Sequence, residues 1–222
     1  MNHNIAIDGP AGAGKSTIAK AVAARLGHIY VDTGAMYRAM ALYFMENKLD
    51  LKDEGIISGA CDGADVSIEY VNGTQRVILC GEDVSEKIRD EKVGNSASIV
   101  SVYPAVRSKM TALQQKLASV QPVVMDGRDI GTVVLPDAAC KIFLDASPEV
   151  RAKRRVAQLA EKGVKADYEE VLADIRDRDE RDRNRPIAPL VAAVDATTVD
   201  TSDLTAEEVI GRLLEIYHSK VD

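Results

Sequence analysis

The sequence predicts an α/β fold in three layers, a five-stranded parallel sheet between helices, with a small antiparallel insert. Three observations lead there. Five short apolar runs punctuate the 222 residues, at 4–8 (NIAID), 28–32 (HIYVD), 122–126 (PVVMD), 140–146 (CKIFLDA) and 196–200 (ATTVD). Runs this short, rich in β-branched residues and without polar alternation, suit strands buried on both faces. Helical patterns lie between them, and alternating strand and helix imply parallel pairing through right-handed crossovers. The third observation is a break in that rhythm. Residues 64–84 hold two alternating runs around Asn72-Gly73, the strongest short hairpin signal, and a hairpin has no place inside a parallel crossover.

Taken in order, the first run leads through a glycine loop into a helix at 15–26. The second is followed by the hairpin insert, placed at 60–100, and by a helix at 103–119. Ser147-Pro148 caps and opens a helix at 148–161 after the fourth run. Asp167 with Glu170, and Thr205 with Glu208, mark the starts of helices at 168–184 and 205–219. The expectation is a single domain over 1–222, its core formed by 1–59 and 101–222.

Composition narrows the partners. The chain is 46% hydrophobic, enough for a sizeable core, and its net charge of −7 argues against a broad nucleic-acid or anionic-membrane surface. Cys61, Cys80 and Cys140 are far apart and odd in number, which offers neither a disulfide framework nor zinc spacing. The start lacks a charged segment followed by a long apolar run, and no stretch reaches the roughly eighteen apolar residues of a membrane span. A cytoplasmic protein is expected, without nucleic-acid or membrane partners. A monomer is expected too, since no helix demands a partner for an apolar surface.

The loop after the first strand reads GPAGAGKST: Gly9, Pro10, Ala11, Gly12, Ala13, Gly14, Lys15, Ser16 and Thr17. It satisfies G-x-x-x-x-G-K-[ST] with a strand before and a helix after, the context a P-loop requires. Its glycines let successive N–H groups turn toward a phosphate chain, and the helix adds its positive end. Lys15 reaches the β- and γ-phosphates, while the Ser16 hydroxyl can ligate Mg²⁺. The fold is thus of P-loop NTPase type. An Asn-Lys-x-Asp guanine motif is absent, which speaks against a GTPase.

Three further groups suggest a second substrate. In DTGAMYRA (32–39), Thr33 and Arg38 lie at a strand-to-helix junction, the crevice side of an open sheet; Thr33 either serves a ligand or caps the helix. In VVMDGRDIGTVV (123–134), Asp126 ends a buried run where a carboxylate holds Mg²⁺ directly or through water, with Arg128 and Asp129 at the same mouth. The third is IRDRDERDRNRP (175–186). On a helix, Arg178, Asp182 and Arg185 fall on one stripe within about 60°, flanked by Arg181, with Arg176 and Arg183 on the far side. The stripe reads as a clamp for an anion. Arg176, Asp179, Glu180 and Arg183 read as a solvated face.

These pieces, GPAGAGKST, DTGAMYR, MDGRDIGTVV, KIFLDA and RDRDERDRNR…APL, occur in that order along nearly the whole chain. Together they resemble the bacterial cytidylate kinases, a family of nucleoside monophosphate kinases. The resemblance implies ATP and CMP or dCMP as substrates, ADP and CDP or dCDP as products, and Mg²⁺ as cofactor. It implies that 60–100 is a monophosphate-binding insert and that a short lid lies near 152–166. Arg38, Arg128 and Arg178 resemble the arginines that hold the α-phosphate of CMP. Asp182 matches a residue accepting from the sugar hydroxyls, with Arg185 beside it. Ser98, Arg107 and Asp129 resemble the base-recognition set, and Tyr37 matches a residue lining that pocket. Arg154, with Arg151 and Arg155, is a candidate to move toward ATP as the lid closes. Base chemistry agrees: a carboxylate accepts from cytosine N4, whereas uracil meets it acceptor against acceptor. A UMP or shikimate kinase, or a nucleotide-dependent switch without turnover, are the rival readings.

Overall fold

The structure, a computed structural model, describes residues 3–161 and 163–221. Lys162, inside the lid expected at 152–166, lies outside the described residues. In chain order the elements are β1 (Ile5–Asp8), α1 (Lys15–Leu26), β2 (Ile29–Asp32), α2 (Thr33–Glu46), α3 (Glu54–Ala60), β3 (Val66–Val71), β4 (Thr74–Leu79) and β5 (Glu82–Asp83). Next come α4 (Glu91–Val100), α5 (Pro104–Ala118), β6 (Val123–Gly127), a π-helical segment (Ile130–Val134), β7 (Cys140–Asp145), α6 (Pro148–Glu161), α7 (Tyr168–Asn184), β8 (Thr197–Asp200) and α8 (Ala206–Val221). Five strands make a parallel sheet in the order β2-β6-β1-β7-β8, and β3-β4-β5 make a separate antiparallel one. Each of the five apolar runs is a strand, as expected. Among the described residues, no helix is long and apolar enough to cross a membrane.

The chain divides into two compact units, Met1–His28 with Pro122–Asp222, and Ile29–Gln121. In the first, β1 pairs in parallel with β6 on one side and β7 on the other, and β7 pairs with β8. Ile5, Ala6, Ile7, Val123, Val124, Met125, Ile142 and Leu144 are all buried, which explains why these runs show no polar alternation. The register sets Asp8 opposite Gly127 and Ile7 opposite Asp126, so acidic strand ends collect at one edge. Helix α1 packs Ile18, Ala19, Val22 and Ala23 inward against the sheet and α8, and it stops at Gly27, whose left-handed backbone (φ 68°) returns an N–H to Ala23. Helices α6 and α7 pack on each other.

The expected cap chemistry is present. Asp167 accepts from the Glu169 and Glu170 N–H groups, Ser147 from Val150, and Thr205 and Glu208 bond reciprocally as a capping box.

In the second unit the hairpin turns at Asn72-Gly73, both residues at positive φ, so that Val66 faces Leu79 and Ile68 faces Val77. The residues 60–100 fall wholly within this unit. Periodicity does not mark helix α2, for a physical reason: TGAMYRAMALYFME buries eight of its fourteen residues and leaves little polar face. The three thiols differ in setting. Cys61 and Cys140 are buried, which pushes the Cys61 thiol up and Cys140 to about 11. Cys80 is exposed in the turn between β4 and β5.

Candidate active site

The loop between β1 and α1 takes its shape from three glycines at positive φ, Gly9 (147°), Gly12 (80°) and Gly14 (86°). Gly9 has no room for a side chain, since a Cβ there would sit 1.9 Å from the Leu144 carbonyl oxygen. Gly14 caps α1 without a side-chain bond, and the first turn carries no acidic residue, so the helix offers its N–H groups and positive end to an anion. Lys15 is 6% exposed and its Nζ donates to the Pro10 carbonyl at 2.7 Å. Burial, then the Arg128 guanidinium, push the Lys15 ammonium well below the ordinary lysine range; Arg178 adds to this, while Asp126 and Asp8 oppose it. Positive charge crowded in this way is relieved by a polyanion.

Two carboxylates close the loop's floor. Asp126, buried at the end of β6, accepts from the Ser16 hydroxyl at 2.9 Å, so the two residues expected to serve a metal stand together. Asp8 carries no motif that would single it out in the sequence. Its two oxygens accept the N–H groups of Ile130 (2.8 Å) and Gly131 (2.7 Å), which fixes the π-helical segment directly after Arg128 and Asp129. Burial raises Asp8 to about 6, and Asp129 adds to the rise, against those two backbone bonds and Lys15.

Helix α7 brings its predicted stripe to these residues. Arg128 Nε donates to Asp182 Oδ2 at 2.9 Å, and Arg185 Nη2 reaches Asp129 Oδ1 at 3.4 Å. Asp129, Asp182 and Arg185 are buried; Arg178 is half-buried and close enough to act electrostatically on Lys15 and Asp182. Burial works to raise Asp182, but Arg128, Arg178 and Arg185 hold it below the usual carboxylate range. Arg185 also donates to the Ala188 carbonyl. Arg176, Glu180, Arg181 and Arg183 are exposed.

Two expectations need correction. Asp179 is not on the solvated face: it is 4% exposed and forms a two-pronged ion pair with Arg151 (3.0 and 2.5 Å), because α7 has a second buried side against α6. Arg151, in turn, is no free lid arginine. It is 1% exposed, with its guanidinium committed to Asp179 and to the carbonyls of Ala11 and Ala146. Arg154 is half-buried and donates to the Thr201 hydroxyl and carbonyl, while Thr201 Oγ1 also reaches the Ala13 carbonyl at 3.4 Å.

In the second unit Asp32, not Thr33, caps α2, accepting from the Ala35 N–H at 2.9 Å; Thr33 is the first helical residue and buried. The hairpin fixes this corner, since the Gln75 amide exchanges hydrogen bonds with the Asp32 backbone, and Arg89 pairs with the Asp32 carboxylate. Gln75 could not be found from sequence, because nothing local distinguishes it. The Arg107 guanidinium lies 5.6 Å from the Tyr37 ring centroid and donates to the Ser101 carbonyl, and the Ser101 hydroxyl donates to the Ser98 carbonyl. Tyr37, Ser98 and Arg107 thus form one group. Arg38 lies beside Gly94, near α4.

The strand, the glycine loop with its lysine, and the carboxylate at the end of β6 define a P-loop kinase. The shikimate kinase from Bacteroides thetaiotaomicron shares the fold alone, with a TM-score of 0.51 at 15% identity, covering 98% of this chain and 99% of that one. A family model described as Cytidylate kinase matches residues 5–219. The cytidylate kinase of Caldicellulosiruptor saccharolyticus is 50% identical over 218 residues, 98% of this chain and 96% of the relative. That of Carboxydothermus hydrogenoformans is 49% identical over 218 residues, 98% of both. The chain belongs to the cytidylate kinase family, phosphotransferases that act on CMP or dCMP with ATP.

Proposed function

We propose that the chain carries out the cytidylate kinase reaction, γ-phosphoryl transfer from ATP to CMP or dCMP, with its residues in these roles. Residues 9–17 hold the ATP phosphates, Lys15 reaches the β- and γ-phosphates, and Arg154 serves the donor side. Arg38, Arg128 and Arg178 hold the α-phosphate of the acceptor. Asp182 accepts from the sugar hydroxyls beside Arg185. Thr33, Tyr37, Ser98, Arg107 and Asp129 serve the base and its pocket. Residues 60–100 act as the monophosphate-binding insert and 152–166 as the lid, within one catalytic domain. The enzyme works as a monomer in the cytoplasm, in pyrimidine nucleotide metabolism.

The observation that carries this reading is the pairing of Arg128 with Asp182 and Arg185 with Asp129 directly beyond the strand whose Asp126 meets Ser16. Mixed charge in a buried corner suits a nucleotide, which presents phosphate to arginine and hydroxyls to carboxylate. The acceptor's attacking oxygen is already ionised at neutral pH, so no strong general base is needed, and catalysis is positioning and charge neutralisation. Ser16 and Asp126 also fit Mg²⁺, being hard oxygen donors for an ion that completes its shell with phosphates and water. Bound there, Mg²⁺ would neutralise charge on the phosphates.

The test is coupled detection of ADP with a panel of nucleoside monophosphates. CMP and dCMP should be turned over well and UMP poorly. Asp129→Asn should lose CMP turnover by about a hundredfold while the ATP KM stays within about twofold. Equal losses for every acceptor would remove Asp129 from base recognition. ATP binding without CMP-dependent ADP formation would reduce the protein to a switch.

A further inference from the structure

Among the described residues the largest fully buried side chain is an arginine, and no substrate role accounts for it. Arg151, on the first turn of α6, uses all three nitrogens of its guanidinium. Nε donates to the Ala146 carbonyl at 2.9 Å, Nη1 to the Ala11 carbonyl and to Asp179 Oδ1 at 3.0 Å each, and Nη2 to Asp179 Oδ2. One guanidinium therefore ties the end of β7, the glycine loop and α7 together. The contact with the loop is close: a Cβ on Gly12 would lie 3.4 Å from Arg151 Cβ. Stability alone is a poor explanation, because a buried ion pair rarely outperforms apolar residues of the same volume. What an arginine supplies here, and an apolar side chain cannot, is a fixed donor for the Ala11 carbonyl.

That carbonyl shares a trans peptide with the Gly12 N–H, so the two point in opposite directions. Holding the Ala11 oxygen on Arg151 aims the Gly12 N–H away from α6. One turn on, Arg154 donates to the Thr201 hydroxyl, which lies 3.1 Å from the Asp145 carbonyl oxygen and 3.4 Å from that of Ala13. Gly12 and Gly14 are the residues at φ 80° and 86°, the alternation that turns successive N–H groups into an anion-binding concavity. We propose that Arg151, held by Asp179, is a positioning residue that presets the loop for the triphosphate of ATP without touching the nucleotide. The proposal rests on the reading of residues 9–17 as the ATP phosphate site. It also gives α7 a double task, since Asp179 anchors the loop one residue after Arg178 faces the acceptor side.

The experiment uses the full chain with Arg151→Lys, which keeps the charge but cannot serve every acceptor at once, and Asp179→Asn, which keeps shape and leaves Arg151 its bonds to Ala11 and Ala146. Steady-state constants are measured well below each variant's melting temperature, and inorganic tripolyphosphate binding is followed by calorimetry. Arg151→Lys should raise the ATP KM about tenfold or more, with the CMP KM within about twofold and tripolyphosphate affinity falling by a similar factor as for ATP. Asp179→Asn should shift the same constants in the same direction. Should Arg151→Lys fail to fold, Asp179→Asn alone decides. A lower melting temperature with unchanged ATP and tripolyphosphate constants would make the pair merely structural and overturn the proposal. If the unaltered chain formed no ADP on addition of CMP, the kinase reading itself would fall instead.

Discussion

Arg128 and Asp182 are paired at 2.9 Å, one at the end of β6 and the other in the last two turns of α7, with both side chains largely withdrawn from water. The pair links the chain just after β6 to α7, so each residue has a structural share besides any role with CMP. Arg128 is held above its usual range, burial working against it and Asp182, Asp126 and Asp8 outweighing burial.

Asp182→Asn should therefore lower stability as well as acceptor affinity. The depressed carboxylate of Asp182 contributes stability above the ordinary aspartate pKa and loses it as pH falls through its own lower value. Melting curves of the variant should show a cost of about 1–3 kcal/mol at neutral pH that shrinks below about pH 4. The CMP KM should rise about tenfold, with the ATP KM little changed. A melting difference that grows on acidification would contradict the assigned charge.

Helix α7 allows a comparison of its faces. Arg178 is half-buried and acts on Lys15 and Asp182, whereas Arg183 is exposed. Arg178→Ala should reduce kcat/KM for CMP by about a hundredfold or more, with only a small change in melting temperature. Arg183→Ala should alter neither. Equal kinetic losses would mean that the run's overall charge, not its geometry, is what counts.

Lys15 makes a prediction about protons. Free, its ammonium is pushed down by burial and by Arg128; a triphosphate beside it would push it back up. Between those two values, binding must take up a proton. Calorimetry in buffers of different ionisation enthalpy, stepped upward in pH below the ordinary lysine range, should show uptake once the unliganded ammonium has lost its proton, and ATP affinity should fall as pH rises further. Lys15→Met should abolish the uptake. Proton release in the unaltered protein would refute it.

Much of this architecture is legible in the chain, and the reason is physical. Apolar runs ending on aspartate can do little else than run through a sheet and emerge at its polar edge, and cap residues such as Asp167 and Thr205 act on the backbone three residues away. Helical geometry places Arg178, Asp182 and Arg185 on one stripe. It does not say what lies beside the next stripe, so Asp179, about 100° round the helix, reads as a surface residue. Arg151 is hidden for the same reason, its partner being twenty-eight residues away. Asp8 is in plain sight at a strand end, but its task, holding the Ile130 and Gly131 amides, exists only after folding.

The thiols have a practical consequence. Two are shielded, and Cys80 stands exposed in the turn of the small antiparallel sheet. A maleimide dye supplied in limiting amount should attach there first, since shielded thiols are slow to react. The unaltered chain thus brings its own labelling handle, through which fluorescence can follow the smaller unit while nucleotides arrive.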